Sequence, residues 1–174
     1  MTETEFSRPV TVSRLSHQEK TFEIEADAGE REALARRFNI LAVDSLSARL
    51  WLALVGGGKL VRLRGRFVAD VVQACVVTLE PVRAHVEEDF DLTYSGEASE
   101  DGAEVVVDLE LEDPPEPIDD GMVDMGEAVA EHLALALDPF PRAPGAVFAS
   151  SAEEEPSSAS TANPFAALAA LKKK

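Results

Sequence analysis

Alternating apolar and polar residues predict a β-sheet in the middle of the chain. From residue 82 to 94 the even positions are mostly apolar and every odd position is polar, which is typical of a strand with one buried face. Residues 61–71 alternate in the same way, and three arginines on their polar side form what we call the arginine row: Arg62, Arg64 and Arg66. Gly56, Gly57 and Gly58 precede this segment, so a hairpin with Lys59 at its turn is predicted.

Other segments extend this pattern in both directions. Between residues 45 and 54, Leu and Ala recur at even positions; a strand is predicted, with a helix as the alternative because both residues are good helix formers. Alternation also predicts strands at 6–12, 21–25 and 103–111, and continues the hairpin through 75–79. A short helical turn is expected between the first two of these strands. The prolines after residue 113 should interrupt regular structure.

Two helices have recognisable starts. Asp27 and Glu30 have the spacing of a capping box, which predicts a helix over about 28–38. Asp124 as N-cap, with Glu127 three residues later, predicts a second helix ending near residue 137. Strands and helices in this order predict an α+β fold, with an antiparallel sheet flanked by two helices. Closure into a barrel would remove exposed strand edges, and the sequence leaves closure open.

Composition changes towards the end of the chain. Residues 1–148 are expected to form a single domain, and residues 149–162, rich in Ser, Ala and Glu, a flexible linker. Asn163 and Pro164 then have the N-cap and first-turn positions of a short amphipathic helix that ends in three lysines. This tail is a candidate partner-binding element, with its key residues being Asn163, Pro164, Phe165, Leu168 and Leu171.

Charge is distributed unevenly over the 174 residues, whose formal net charge is −17. Residues 84–132 contain 18 acidic residues and no Lys or Arg, whereas the segments on either side are close to neutral. The excess of anions argues against non-specific wrapping of nucleic acid and against a polybasic membrane-surface protein. It favours docking of an acidic face to a basic partner.

Several other classes find no support in the sequence. The first ten residues lack an apolar run, and no stretch has about 18 apolar residues, so neither a signal peptide nor a membrane span is expected. A single cysteine excludes a disulfide framework within one chain. We therefore expect a cytoplasmic protein.

Candidate catalytic chemistry is sparse. His17, His85 and His132 lack metal-ligand spacing, and the glycine turn before Lys59 does not have P-loop spacing. Cys75, alone in a predicted strand, is interpreted as a small buried hydrophobic residue. No enzyme activity, cofactor, metal or small-molecule substrate is therefore expected.

The arginine row, with Lys59 beside it, has two interpretations. A cationic row on a sheet can contact phosphates of RNA. Alternatively, the carboxylates of residues 82–94 lie across from the arginines and form cross-strand ion pairs. The sequence leaves both open.

Several sequence segments resemble those of the bacterial YceD family. Cys75-x-x-Thr78-Leu79-Glu80-Pro81 is similar to the family's Cys-x-x-Cys-Leu-Glu-Pro segment, with Thr78 in place of the second Cys. Further matching phrases occupy residues 118–127, 135–146 and 163–172, and the N-terminal region is compatible with the alphaproteobacterial branch. The motif residues taken from these phrases are Cys75, Leu79, Glu80, Pro81, Asp124, Glu127, Asp138, Pro139, Arg142, Pro144 and Gly145.

The resemblance implies a role in the accumulation of 23S ribosomal RNA, through its synthesis, processing or stability, without an established enzymatic activity. A zinc or redox role for the cysteine pair does not carry over, because one thiolate cannot complete a tetrahedral site.

Two functional hypotheses follow. The first is a non-enzymatic factor in ribosomal RNA accumulation or ribosome assembly. It would bind a ribosomal protein or an RNA-processing protein that has a basic surface, and/or ribosomal RNA through the arginine row. The alternative is a general protein-interaction module that uses the acidic face and the tethered C-terminal helix without touching RNA.

Overall fold

Three long antiparallel strands form the middle of a five-stranded sheet in the computed structural model, which describes residues 4–96, 114–118 and 120–148. The sheet order is β2-β3-β4-β5-β6, and β1 pairs separately with β7. The strands are β1 Pro9–Thr11, β2 Lys20–Glu25, β3 Ala42–Val55, β4 Leu60–Ala74, β5 Pro81–Ser95, β6 Glu116–Pro117 and β7 Met122–Asp124. The helices are α1 Ala28–Arg37 and α2 Met125–Ala136.

Alternation of side chains sets the two faces of the sheet. Leu50, Leu63 and Phe67 are fully buried on the inner face, while Trp51 and the arginine row lie on the outer face. In the register of the central strands, Arg64 is opposite Trp51 on β3 and Asp91 on β5. The glycines between β3 and β4 all have positive φ, which gives this hairpin its tight turn.

Both helices cover the inner face. Leu34 of α1 and Val129 and Leu133 of α2 are fully buried, with α1 packed on β3 and α2 on β4 and β5. Gly65 makes room for the helix side of this core, since the Phe90 ring lies directly over it and stacks on His132 of α2, with ring centroids 4.3 Å apart. Within the described part of the chain, neither helix is long and apolar enough to span a bilayer.

The helix starts agree with the sequence patterns. Asp27 and Glu30 form both hydrogen bonds of a capping box at α1. The Asp124 side chain accepts hydrogen bonds from the backbone N–H groups of Gly126 and Glu127 at the start of α2. These contacts confirm the two predicted starts, and residues 45–54 are confirmed as a strand rather than a helix, being part of β3.

The α+β class with a mostly antiparallel sheet is confirmed, and the sheet, whose closure the sequence left open, is not closed into a barrel among the described residues. The sheet is open, with β2 at one edge and the two-residue strand β6 at the other. Helices α1 and α2 bury the apolar face instead of the sheet wrapping around it. β6 also pairs in parallel with β5, so its two residues extend the sheet only beside Tyr94 and Ser95.

Three local predictions need correction. Strand β4 ends at Ala74 and the chain turns before β5, where Leu79 N–H donates to the Cys75 carbonyl and Cys75 N–H to the Glu80 carbonyl. In the region predicted as strand 6–12, only Pro9–Thr11 is strand, followed by a short 3-10 turn at Val12–Arg14. Glu116–Pro117, where no regular structure was expected, is β6. The predicted strand at 103–111, the linker at 149–162 and the helix at 163–174 lie outside the described residues.

Candidate functional site

The arginine row lies on the outer face of the sheet, where each guanidinium is paired with a carboxylate. Arg62 contacts Asp91 and Arg66 contacts Glu87, each with an Nε–O distance of 2.9 Å, across the β4–β5 ladder. Arg64 pairs with Glu19. These hydrogen bonds hold the pKa values of Asp91 and Glu87 below their usual range.

The outer face is therefore compensated in charge, in agreement with the cross-strand interpretation. The arginine side chains remain about half exposed, and the Arg64 guanidinium lies 6.0 Å from the centre of the Trp51 ring. Lys59 is exposed in the turn beside them. Contact of these four cations with RNA stays a prediction, since phosphates would have to exchange with the carboxylates.

A second feature is a groove of about 550 Å³ between β1, β5, β6, β7 and the start of α2. Pairing of β7 with β1, and of β6 with β5, brings four distant parts of the chain to its walls. No lysine or arginine of the described residues lines it, and we call it the acidic groove because of its five carboxylates. These belong to Glu116, Asp120, Asp124, Glu127 and Glu131.

Two of these carboxylates have structural partners. Asp124 Oδ1 accepts hydrogen bonds from the N–H groups of Arg8 at 2.7 Å and Gly126 at 3.0 Å, and Asp124 Oδ2 accepts one from the Ser7 hydroxyl. Glu127 forms an ion pair with Arg37, with an N–O distance of 2.6 Å. The motif residues Asp124 and Glu127 thus build the groove's wall.

The other three carboxylates form no ion pair within the described ranges. Partial burial, and then the charges of Glu127 and Glu116, raise the pKa of Glu131 above its usual value. Burial, followed by the nearby charges of Glu116 and Glu131, raises the pKa of Tyr94 in the groove. The groove consequently has an excess of negative charge that a cationic ligand would relieve.

The remaining motif residues meet at the other end of α2, in two loops joined through Cys75. The buried Cys75 Sγ accepts N–H hydrogen bonds from Ala143 at 3.3 Å and from Val77 and Thr78 at 3.4 Å. The N–H of Val76 also donates to the Pro141 carbonyl at 2.9 Å. Donation by Ala143 and the other groups lowers the pKa of Cys75 to about 6.

These contacts bring the first motif group next to the second. The first contains Cys75, Leu79, Glu80 and Pro81, and the second contains Asp138, Pro139, Arg142, Pro144 and Gly145. Gln73 adds a hydrogen bond of 2.9 Å from its side-chain amide to the Asp138 carbonyl. The buried position of Cys75 agrees with its interpretation as a small core residue.

The histidines lie in separate places. His17 contacts the Leu54 carbonyl, His85 pairs with Asp70, and His132 bonds to the Ala128 carbonyl. Across residues 4–96, 114–118 and 120–148, no three metal-ligating side chains converge. The tail residues Asn163, Pro164, Phe165, Leu168 and Leu171 lie outside the described residues.

Sequence reasoning missed most of the acidic groove. Ser7 precedes β1, whereas Tyr94, Glu116 and Glu131 belong to β5, β6 and α2, and no short motif links them. The signal that could have indicated the groove was the acidic segment 84–132, which contributes all five of its carboxylates.

Comparison with known proteins gives one family. No curated protein and no solved structure matches the chain. A family model described as "Large ribosomal RNA subunit accumulation protein YceD" matches residues 63–172, which include most of β4, all of β5 and α2, and both Cys75-linked loops. Since this match covers more than half of the 174 residues, the chain belongs to the YceD family of large ribosomal RNA subunit accumulation proteins.

Proposed function

We propose that the protein supports accumulation of large-subunit ribosomal RNA as a non-catalytic, cytoplasmic factor whose acidic groove binds a basic protein. The partner class is a ribosomal protein or an RNA-processing protein with a lysine- or arginine-rich segment. The observation that carries this proposal is the acidic groove itself, which no lysine or arginine of the described residues lines. Glu116, Asp120 and Glu131 form no ion pair among those residues, and Glu116 accepts a hydrogen bond from the Tyr94 hydroxyl.

Electrostatics favours a cationic protein segment there. A single exposed ion pair contributes only about 0.2–1 kcal/mol, but several carboxylates in one groove act together on a segment with several cations. Charges at this surface are screened beyond about 10 Å at 0.1 M salt, so binding should weaken strongly as salt increases. Ribosomal RNA itself is disfavoured in the groove, because phosphates would meet carboxylates.

A second candidate is direct RNA contact through the arginine row and Lys59. It is supported by the half-exposed guanidiniums beside Trp51, because an aromatic ring with neighbouring arginines can stack on an unpaired base. The alternative, a general interaction module using the acidic groove and the C-terminal tail, shares the groove and excludes RNA contact.

Affinity capture from cells at low salt separates these functions. The groove variant combines Glu116→Gln, Asp120→Asn and Glu131→Gln. A control variant with the same change in charge combines Glu25→Gln, Glu32→Gln and Glu88→Gln, all exposed and outside the groove. Each is captured with and without RNase.

We expect the groove variant to lose a basic protein partner that the control retains, with or without RNase. Loss of the partner on RNase treatment, together with its retention by the groove variant, would contradict groove binding and favour the arginine row. Partners unrelated to ribosomes would favour the general interaction module.

A further inference from the structure

Exposed apolar side chains project from the two loops that Cys75 joins. Leu79 is 77% exposed, Phe140 70% and Val76 47%. We call these three residues the loop patch. Large apolar side chains that are this exposed on ordered loops are typical of a contact surface.

The loops that present the patch are tied together by hydrogen bonds. Val76 N–H donates to the Pro141 carbonyl, next to Phe140, and Leu79 N–H donates to the Cys75 carbonyl, both at 2.9 Å. The Cys75 Sγ contact to Ala143 N–H adds a third connection. A binding partner would therefore contact a preorganised surface, which limits the conformational entropy lost on binding.

Leu79 also has a strained backbone. Its φ of 61° lies in the left-handed region, where the Cβ of a leucine comes too close to the backbone. Gly or Asn would adopt this conformation more easily. A large apolar side chain kept there, pointing to solvent, indicates that the side chain itself has a use.

The segment that follows the described residues starts close to the loop patch along the chain. The described residues end at Phe148, only five residues after Ala143. The following 26 residues contain an apolar segment with Phe165, Leu168 and Leu171 three residues apart. The composition of the 16 residues between Phe148 and Phe165 predicts a flexible linker, and a linker of this length reaches roughly 20–24 Å, which is ample for return to the same loops.

We propose that residues 163–171 of this chain dock on its own loop patch. Attachment through a short flexible connection gives an effective concentration in the millimolar range, so even a weak apolar contact is populated. The proposal concerns a surface at the opposite end of α2 from the acidic groove, and does not depend on the groove's function.

A spin label tests this contact in the full chain. Ala170→Cys provides the attachment point, since the native Cys75 thiol is fully buried. The readout is paramagnetic broadening of the Val76 and Leu79 methyl resonances, with a diamagnetic label as reference. The tail variant Phe165→Ser with Leu168→Ser is compared with a control, Ala166→Ser with Ala169→Ser.

Docking predicts that the Val76 and Leu79 methyl signals lose about half of their intensity or more, as expected for a contact populated at millimolar effective concentration. The control should keep this loss and the tail variant should abolish it. Leu79→Asn removes the apolar group while tolerating the left-handed backbone, so it should also abolish broadening at Val76 without reducing stability.

Unbroadened patch methyls would overturn the proposal, as would broadening that the tail variant retains. A sample mixing spin-labelled, isotope-free chains with unlabelled, isotope-enriched chains provides the last check. Broadening that is as strong in this mixed sample would show a second copy on the patch and would contradict docking within one chain.

Discussion

Asp124 holds the start of α2 against the N-terminal segment, so its removal should destabilise the fold measurably. Its carboxylate accepts hydrogen bonds from the N–H groups of Gly126, Glu127 and Arg8, and from the Ser7 hydroxyl. Loss of an N-cap costs about 1 kcal/mol, within a range of roughly 0.5–2 kcal/mol. The Arg8 N–H and the Ser7 hydroxyl also lose a charged acceptor, which adds about 1–2 kcal/mol after partial rehydration.

Asp124→Ala should therefore lower the free energy of unfolding by about 2–4 kcal/mol, a large part of the typical 5–15 kcal/mol. With an m-value of about 2 kcal/mol per M, the urea midpoint should fall by roughly 1–2 M. Asp124→Asn is the matched control, because an amide oxygen can replace Oδ1 and accept the three N–H bonds. It loses the charge at the helix N-terminus, worth about 0.3–1 kcal/mol. Its NH2 group replaces Oδ2 beside Ser7, so it donates to the Ser7 oxygen instead of accepting from the hydroxyl.

Urea unfolding followed by circular dichroism measures both variants. A loss below about 1 kcal/mol for Asp124→Ala would refute the account of this carboxylate as the link between α2 and the N-terminal segment. Equal losses for the alanine and asparagine variants would also refute it, since charge rather than hydrogen bonding would then be responsible.

Three further predictions concern the sheet and the groove. Gly65→Ala places a Cβ 2.2 Å from Phe90 Cζ, so chemical denaturation should show a loss of about 1–3 kcal/mol or more, partly relieved by adding Phe90→Leu. Glu131→Gln should raise stability at pH 7 but not near pH 4. The raised pKa means that folding disfavours the ionised carboxylate, and Glu131 is ionised at pH 7 but largely protonated near pH 4; thermal melts at the two pH values check this. Replacing any one arginine of the arginine row by Gln should cost less than about 1 kcal/mol in urea titrations, since these ion pairs are half exposed.

Local patterns predicted the sheet and helices because their causes are local. A period of two places apolar side chains on one face of β4 and β5 whatever lies above them, and Asp27 and Asp124 cap helices through bonds to residues two or three positions away. The same alternation offered ion pairs with residues 82–94 as one of two interpretations of the arginine row, and it did not indicate the Arg64–Glu19 pair. The register places Arg62 opposite Thr93 and Arg66 opposite Asp89, and the two guanidiniums reach diagonally to Asp91 and Glu87.

The features that the sequence did not predict involve contacts between distant parts of the chain. Residues 75–79 alternate like a strand, yet the chain turns there, and hydrogen bonds from Cys75 N–H to the Glu80 carbonyl and from Leu79 N–H to the Cys75 carbonyl close the turn. The same loop also bonds to residues 141–143, more than 60 positions away. One edge of the open sheet is β6, a strand of only two residues. Its pairing with β5 arises from tertiary packing, which no local sequence pattern predicts. The acidic groove needs β1, β7 and β6 to meet beside α2, and no spacing along the chain encodes that meeting.

The groove is the central functional claim, and the level of large-subunit ribosomal RNA in cells tests it most directly. Cells that lack this gene are complemented with the native chain, the groove variant or the control variant, at matched protein levels. The ratio of large- to small-subunit ribosomal RNA is then measured. The account predicts a ratio restored by the native chain and the control variant but not by the groove variant. Full restoration by the groove variant would contradict it.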